Sequence, residues 1–367
     1  MTAVRRLGLR PVINAAATLT KLGGSRLAPP VAAAMAEAAE SFVDLPALGL
    51  AVGARIAELT GNEAGHVTSG AAAGLTLSVA SCVTGPQPES LEVFPELAGV
   101  TRRRVAMARS HRNPYDYAVR LLGTEIVEFG PEPASIRAAL GPETACVLWF
   151  AGEHYAAGAP ELADVLALAK ARGVPVLVDA AAQVPPVSSL RDFTAGMGAD
   201  AVIFSGGKGL RGPQSSGLVL GRAAVVEGCR AHASPHHGVG RGMKVGKEEL
   251  MGLLAAVEWS LAQDEPALLA VYEDSVARWL EGLAGLPGVC AERGYPSEAG
   301  QPHGRALVRV GPDSGWTTAE LAGALWEGDP RIAVNIVGDA LALNPQTLDP
   351  GEDIVVLEAL RALLAAR

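Results

Sequence analysis

The sequence predicts an α/β fold in which a large domain with a mostly parallel sheet precedes a small α+β domain. Apolar runs of strand length alternate with helical patterns between residues 31 and 262, as expected for successive βαβ units. Shorter strands and helices alternate from residue 287 onward. Several buried runs also end in polar residues, at the sheet edge where open α/β folds bind ligands. We therefore expect an N-terminal arm at 1–30, the large domain at 31–262 and the small domain at 263–367.

The N-terminal arm shows little helical periodicity and carries Asn14 and the turn that ends at Ser25. It is predicted to be an irregular arm that packs on a neighbouring subunit. Helices are predicted at Pro30–Ala39, where proline occupies the first turn, and at Leu48–Leu59, where apolar residues recur at helical spacing.

A candidate phosphate site follows the first predicted strand, Gly65–Val67. The run Thr68, Ser69, Gly70 and Ala71 leads directly into a helix rich in small residues. Unpaired N–H groups and the positive end of the helix dipole make such a helix start a good anion site. The alternative is that these residues serve only as a helix N-cap.

Polar residues also follow the predicted strand Arg104–Ala108. His111 lies at the expected ligand edge of the sheet, where an imidazole could move protons, or it is a structural histidine. Arg112 and Tyr115 are secondary candidates for contact with a ligand. The next buried strand is predicted at Ala145–Phe150.

The strongest candidates are Asp179 and Lys208. Asp179 ends an apolar strand, and Lys208 follows the run Ala201–Phe204 within a glycine-rich turn. One strand–helix–strand unit separates them, so a parallel sheet would bring both side chains to the same edge. A desolvated lysine amine can form an imine with a carbonyl, and a carboxylate can keep a pyridine nitrogen protonated. The alternatives are a surface lysine and an aspartate that caps the next helix.

These segments resemble the fold-type-I enzymes that depend on pyridoxal 5'-phosphate (PLP). The resemblance rests on VDAAAQ at 178–183, SGGKGLRGPQ at 205–214 and HRNPYD at 111–116. It is greatest to the branch of bacterial selenocysteine synthase (seryl-tRNA selenium transferase) and its shorter relatives, which include D-glucosaminate-6-phosphate ammonia-lyases. It implies a sheet of the seven-stranded type with a small α+β C-terminal domain and an N-terminal arm that lies beside the active site. It also implies Lys208, Asp179 and His111 as catalytic residues and PLP as cofactor.

The resemblance also implies roles for other residues. His111 would stack on the cofactor ring, and Gln183 would approach its phenolic oxygen. Ser205 would join residues 68–71 at the phosphate, unless it only caps the turn. Gln214 would reach the cofactor of a neighbouring subunit, which implies a homodimer or a larger homo-oligomer with the active site at the subunit interface.

An anionic substrate is predicted from a basic cluster in an otherwise acidic chain. The run GRGMKVGKEE at 240–249 carries Arg241, Lys244 and Lys247 just before a helix. The resemblance further implies a carboxylate-binding arginine in the small domain, with Arg331 and Arg309 as candidates. The substrate-contact candidates are Asn14, Ser25, Arg112, Tyr115, Arg241, Lys244 and Arg331.

Composition excludes several classes of protein. The net charge of −9 argues against a nucleic-acid-binding surface. No apolar run is long enough to span a membrane, and the N-terminus lacks the apolar region of a secretory signal. Four scattered cysteines favour reduced thiols in a cytoplasmic protein. Three histidines at 232, 236 and 237 lack a carboxylate or cysteine at ligand spacing, so no metal site is predicted.

The predicted reaction is loss of the α-proton followed by α,β-elimination with ammonia release, catalysed by a lyase acting on a small amino acid or amino sugar acid. The same lysine could serve an aminotransferase, a racemase or a β-replacement of the selenium-transferase type. Selenocysteine synthase itself is disfavoured, because neither a tRNA-binding domain nor a basic surface is evident. A PLP-binding carrier or regulatory protein is the non-enzymatic alternative.

Overall fold

The computed structural model describes residues 3–87 and 91–366. Its helices are α1 (Ala3–Arg6), α2 (Pro29–Ala39), α3 (Leu45–Thr60), α4 (Ala71–Thr84), α5 (Tyr117–Arg120), α6 (Pro133–Ala139), α7 (Glu153–Ala156), α8 (Leu162–Lys170), α9 (Ser189–Arg191), α10 (Ala223–His232), α11 (Lys247–Leu261), α12 (Glu265–Leu283), α13 (Thr318–Glu327) and α14 (Glu352–Ala365). Its strands are β1 (Val12–Asn14), β2 (Ala64–Thr68), β3 (Arg104–Ala108), β4 (Glu125–Phe129), β5 (Thr144–Phe150), β6 (Val176–Asp179), β7 (Ala201–Ser205), β8 (Gly217–Gly221), β9 (Val289–Gly294), β10 (Arg305–Val310), β11 (Arg331–Ala333), β12 (Asn335–Val337) and β13 (Ala340–Leu343).

The chain divides into two compact units, Leu27–Ala262 and the combination of Met1–Arg26 with Gln263–Arg367. The first unit contains a seven-stranded sheet of order β2-β8-β7-β6-β5-β3-β4. Strand β8 is antiparallel to both of its neighbours, β2 and β7, and the other pairings are parallel. The predicted mostly parallel sheet of fold-type-I enzymes is thereby confirmed.

Both faces of this sheet are covered, which explains why its strands are continuous apolar runs rather than alternating ones. Strand β5 is buried at every position. Val147 and Trp149 pack into one core with residues from α3, α8 and α11, whereas Cys146, Leu148 and Phe150 pack into a second core with residues from α4 and α10. Because successive side chains of a strand point to opposite faces, β5 contributes alternate residues to the two layers of helices.

Local signals fix the ends of several helices. Helix α3 begins after Asp44, whose Oδ1 accepts a hydrogen bond from the backbone N–H of Ala47 at 3.0 Å. It ends at Gly61, which adopts φ 67°, the left-handed conformation that glycine tolerates best. The helix begins three residues earlier than predicted, at Leu45, which lies three residues before Leu48 on the same apolar face and packs against the core.

The second unit is an α+β structure. A four-stranded antiparallel sheet of order β12-β13-β10-β9 packs with α12, α13 and α14 around the buried Trp279. The indole N–H of Trp279 donates to the backbone carbonyl of Asp353 at 2.9 Å, so this large side chain buries no unsatisfied polar atom.

The sequence pattern predicts a single strand at Ile332–Ile336, and this prediction is wrong, because the structure divides the segment between two sheets. Residues of β11 pair in parallel with β1 of the N-terminal segment, whereas β12 pairs with β13. A change of partner at Val334 ends one strand and starts the next. Sequence periodicity does not report such a change of partner.

Among the described residues, no helix combines the length and apolarity that a membrane span needs. The same part of the chain contains no cluster of three or more His, Cys, Asp or Glu side chains that could hold a metal ion.

Candidate active site

The structure brings Asp179 and Lys208 to the same edge of the large sheet. Asp179 ends β6 and lies opposite Ile203 of β7, and Lys208 follows three residues after β7. Burial raises the pKa of the Asp179 carboxyl to about 6, and the Ala181 N–H and the charge on Lys208 partly offset that rise. The buried carboxylate and the amine therefore lie close enough to interact electrostatically.

Close packing fixes the turn that carries Lys208. The N–H of Gly206 donates to the carbonyl of Ser216 at 2.9 Å, and the N–H of Gly212 donates to the carbonyl of Gly206 at 2.8 Å. A Cβ at Gly206 would overlap the Ser216 hydroxyl, so only glycine permits this approach of the two arms. The turn therefore holds the lysine at a defined position on the sheet edge.

The candidate phosphate site is assembled around β8. Gly217 of β8 lies opposite Thr68 on one side and opposite Ser205 on the other, which brings the end of β2 and the end of β7 to one edge. A Cβ at Gly217 would overlap the backbone of Gly70. Three of the residues predicted to bind the phosphate, Thr68, Gly70 and Ser205, thus surround Gly217.

The start of α4 has the character of an anion site. Gly70, its N-cap residue, adopts φ 98° and provides no side-chain cap for the first N–H groups of this 14-residue helix. The hydroxyl of Thr68 donates instead to the carbonyl of Gly70 at 2.9 Å, which braces the turn. Ser69 and Ala71 are half-buried at the same turn. This arrangement suits a phosphate group, which would cap the helix in place of a side chain.

His111 is enclosed more completely than expected. Its side chain has no exposed surface, its Nδ1 accepts from the N–H of Phe150 at 3.2 Å, and the Trp149 ring lies edge-on at 4.3 Å. Burial lowers the pKa of His111 to about 4, so the ring is neutral at pH 7. Its Nε2 is buried and lacks a hydrogen-bond partner among the described residues. A cofactor ring could stack on this imidazole only after a neighbouring side chain moved.

Tyr155 is a further side chain at this edge that sequence analysis did not single out. Its ring lies 5.7 Å from that of His111 and 5.4 Å from that of Phe150. Burial and the charge on Asp179 raise the pKa of the Tyr155 phenol to about 12. Its position after β5 was the available signal, since polar residues after neighbouring strands share one sheet edge.

The remaining cofactor candidates lie at or near the same edge of the large unit. The side-chain amide of Gln183 donates to the carbonyl of Ala151 at 3.3 Å, just beyond the end of β5. Gln214 is exposed at the end of the Lys208 turn.

The substrate candidates of the large unit differ in their existing contacts. Arg112 forms ion pairs with Asp116 at 2.6 Å and with Glu128 at 2.7 Å, so its charge is already compensated. Tyr115 is 61% exposed. In the segment between α10 and α11, Arg241 is half-buried and Lys244 is exposed.

Lys247, Arg331 and Asn14 also form hydrogen bonds to other groups of the chain. Lys247 donates to the carbonyl of Ala38 at 2.7 Å and pairs with Glu248 at 2.6 Å. Arg331 donates to the carbonyl of Trp326 at 2.8 Å and lies over the ring of that residue. The side chain of Asn14 bonds to the backbone of Ala16 and Ala17, and Ser25 is half-buried.

No family model matches the sequence. The chain is 32% identical over 372 residues to D-glucosaminate-6-phosphate ammonia lyase of Salmonella typhimurium, which covers 98% of this chain and 97% of the relative. It is 34% identical over 376 residues to 5'-C-glycyluridine monooxygenase-decarboxylase of a Streptomyces species, with 98% and 91% covered. L-seryl-tRNA(Sec) selenium transferase of Moorella thermoacetica is 28% identical over 404 residues, with 97% and 82% covered.

Solved structures agree with these relatives. A structure of D-glucosaminate-6-phosphate ammonia-lyase superposes with a TM-score of 0.86 at 31% identity, covering 100% of this chain and 99% of the other. Serine palmitoyltransferase of Sphingomonas wittichii superposes with a TM-score of 0.62 at 17% identity, covering 97% and 88%, which shows a shared fold alone. The chain is therefore an enzyme of the fold-type-I, PLP-dependent family to which D-glucosaminate-6-phosphate ammonia lyase and the bacterial selenium transferases belong.

Proposed function

We propose that this enzyme is a PLP-dependent lyase that acts on a small anionic amino acid or amino sugar acid and releases ammonia. The observation that supports the proposal most is that the buried Asp179 at the end of β6 and Lys208, three residues after β7, share one sheet edge with the helix start at Gly70 that no side chain caps. The residues present fit the cofactor: an amine, a buried carboxylate and a phosphate-sized anion site share one sheet edge.

Each residue has a separable task. Residues 68–71 and Ser205 would hold the phosphate, Lys208 would hold the cofactor covalently through its amine, and Asp179 would keep the ring nitrogen protonated. The cofactor, when bound, supplies the electron sink that makes the substrate Cα–H acidic. Once the substrate amine has displaced it, Lys208 would be a neutral amine placed to accept the α-proton, which is general base catalysis by a desolvated lysine.

The net reaction balances without an oxidant. The substrate loses its α-proton and a β-hydroxyl as water, and hydrolysis of the unsaturated product returns one water and releases a 2-oxo acid and ammonia. Substrates without a β-leaving group should therefore exchange their α-proton with solvent but release no ammonia. An anionic substrate is supported by the half-buried Arg241 and the exposed Lys244.

Borohydride reduction of the cofactor-loaded enzyme tests the proposal. Reduction should attach the cofactor irreversibly to Lys208, as located by peptide mass spectrometry, and Lys208→Ala should remove the label. Lys170→Ala is the control, because Lys170 is an exposed lysine at the end of α8. Ammonia and 2-oxo acid are then assayed across 2-amino-3-hydroxy acids. A chain that loads no cofactor, or labels equally without Lys208, would refute the proposal.

The monooxygenase-decarboxylase relative, at 34% identity, favours a second candidate reaction, an oxidative decarboxylation. That reaction would consume O2 and release CO2, whereas elimination does neither. Oxygen uptake during turnover therefore distinguishes the two candidates. Transamination and racemisation are distinguished by product amino acids and by inversion at Cα.

We further propose a cytoplasmic homodimer or larger homo-oligomer with the active site at the subunit interface. The exposed Gln214 at the rim of the Lys208 turn and the fully exposed Phe42 before α3 support a contact between copies. Free thiols at Cys82, Cys146 and Cys229 support a reducing compartment. Light scattering on the purified enzyme tests the assembly, and a monomer at micromolar concentration would contradict it.

A further inference from the structure

A cavity in the unit Leu27–Ala262 lies beside the edge strand of the large sheet. Strand β2, the first half of α3 and the segment that follows α10 line it. Its volume is about 170 Å³, and engineered cavities of roughly 150 Å³ accept a benzene ring, so a small hydrocarbon group fits here. Most of the wall is apolar, and the side chains that form it include Leu50, Val67, Leu77, Met243 and Leu250.

One charged side chain lines this otherwise apolar cavity. Arg230, in the last turn of α10, is half-buried, and its Nη2 donates to the carbonyl of Gly65 on β2 at 2.8 Å. Its Nε is buried without a hydrogen-bond partner. Across the described ranges 3–87 and 91–366, no carboxylate forms an ion pair with it, and the exposed Glu227 of the same helix acts only at a distance. The bond to Gly65 thus covers a backbone acceptor at the sheet edge and leaves the charge uncompensated.

His66 adds a second polar group to the wall without adding a charge. It precedes Val67 on β2 and lines the same cavity. Burial, together with the nearby charge on Arg230, lowers the pKa of His66 to about 4, so its ring is neutral at pH 7. A neutral imidazole keeps one N–H that can donate to an anion. The net charge that the cavity presents is therefore the single positive charge of Arg230.

Two glycines of α3 leave the space open. Gly49 and Gly53 lie four residues apart and so share one face of the helix. A Cβ at Gly53 would overlap the Gly65 carbonyl and lie 3.3 Å from Nη2 of Arg230, which shows that helix and strand are in close contact there. A Cβ at Gly49, one turn earlier, would meet no atom within 4 Å. Because Gly49 lines the cavity, a larger side chain at this position would project into it.

We infer that this cavity binds a small apolar carboxylate, whose carboxylate pairs with Arg230 and whose hydrocarbon part packs on the apolar wall. The planar guanidinium matches a carboxylate in shape and charge. A phosphate fits less well, because most of its oxygens would face apolar side chains. The inference goes beyond the proposed function, since the cavity shares Thr68 with the predicted phosphate site but is lined by neither Lys208 nor Asp179.

Calorimetric titration of the cofactor-loaded full chain with sodium benzoate at pH 7 tests this inference. Benzoate should bind saturably at one site per chain. Benzyl alcohol, which lacks the charge, and acetate, which lacks the ring, should each bind at least about tenfold more weakly, because each loses one half of the recognition. Equal affinity for benzyl alcohol or acetate, or no saturable binding of benzoate, would overturn the inference.

Two variants locate the binding. Gly49→Leu should abolish benzoate binding without loss of stability, because leucine fills the cavity and favours a helix more than glycine does. Gly323→Leu is its control, since Gly323 is an exposed glycine within α13 whose Cβ would also meet no atom within 4 Å. Arg230→Gln should weaken benzoate binding about tenfold or more, because a charge-assisted hydrogen bond is lost. Its control is Arg137→Gln, which removes the same charge from an exposed position on α6.

Unchanged affinity in Gly49→Leu would place benzoate outside the cavity, for example in the substrate site, and would refute the inference even if Arg230→Gln failed to fold. The result is separable from the proposed function, because Lys208→Ala should bind benzoate as tightly as wild type. Benzoate binding that depends on Gly49 and Arg230 in a chain that releases no ammonia would refute the function and keep the inference. Ammonia release without such binding would do the opposite.

Discussion

Replacement of Asp179 by asparagine should stabilise the cofactor-free enzyme at neutral pH. Burial raises the pKa of this carboxyl from 3.8 to about 6, so holding it ionised in the folded chain costs about 3 kcal/mol above pH 6. Asparagine is uncharged and nearly the same shape, and its Oδ1 can still accept the 2.9 Å hydrogen bond from the N–H of Ala181. The variant therefore removes the cost of the charge and keeps the bond.

The sign of the pH dependence follows from the direction of the shift. Because the folded chain binds this proton more tightly than the unfolded chain, protonation stabilises the fold fully below pH 3.8, and that contribution is lost as pH rises through about 6. The difference between the Asp179→Asn variant and wild type should thus be about 0.6 kcal/mol at pH 4 and level off at about 3 kcal/mol by pH 7.

Urea unfolding of both cofactor-free proteins at intervals from pH 4 to pH 8 measures this difference. Titrating groups remote from Asp179 cancel, because they are common to both proteins and do not sense its charge. With cofactor loaded, the advantage of asparagine should shrink or reverse, since the carboxylate then faces a protonated ring nitrogen. A cofactor-free variant that is less stable than wild type at pH 8 would refute the reasoning, because Asp179 would then be paired rather than merely buried.

Three further predictions concern the same sheet edge. Lys208→Ala should abolish covalent cofactor attachment and reduce ammonia release by about a thousandfold or more, measured beside Lys170→Ala. Gly217→Ala should cost about 1–3 kcal/mol of stability, measured by urea unfolding, and should weaken cofactor affinity, because the added methyl overlaps the Gly70 backbone. Tyr155→Phe should reduce turnover by about tenfold at all pH values from 6 to 9 without changing cofactor affinity, because the phenol with a pKa of about 12 stays protonated.

Gly141→Ala is the matched control for Gly217→Ala, because a Cβ at position 141 meets no other atom within 4 Å. Equal cofactor affinity in the two glycine variants would contradict the packing argument. A pH dependence of turnover near neutral pH that is present in wild type and absent in Tyr155→Phe would contradict the prediction, because the phenol would then titrate in that range.

Sequence reasoning succeeded where the physical signal is local and periodic. Apolar runs buried on both faces identified β5, β6 and β7, and the residues just after them predicted that Asp179 and Lys208 would share an edge. The resemblance gave the family and the fold class, and both are confirmed. The individual roles of the site residues remain predictions.

Sequence reasoning failed where a residue's state depends on neighbours distant in the chain. The enclosure of His111 requires Trp149 and Phe150 from another strand, which no spacing around position 111 reveals. The charge compensation of Arg112 likewise depends on Glu128, which β4 supplies from a different strand. Both properties follow from three-dimensional arrangement and not from residue type.

The hairpin that joins β7 to β8 limits where this enzyme can vary. The lysine sits in the connection 206–216, and the strand leaving that connection supplies the glycine that lies between Thr68 and Ser205. An insertion or deletion in this connection would displace both the Lys208 amine and the candidate phosphate site around Gly217. Related enzymes are therefore expected to differ in length at loops other than the β7–β8 connection. Attempts to change the substrate specificity of this enzyme should begin in those other loops.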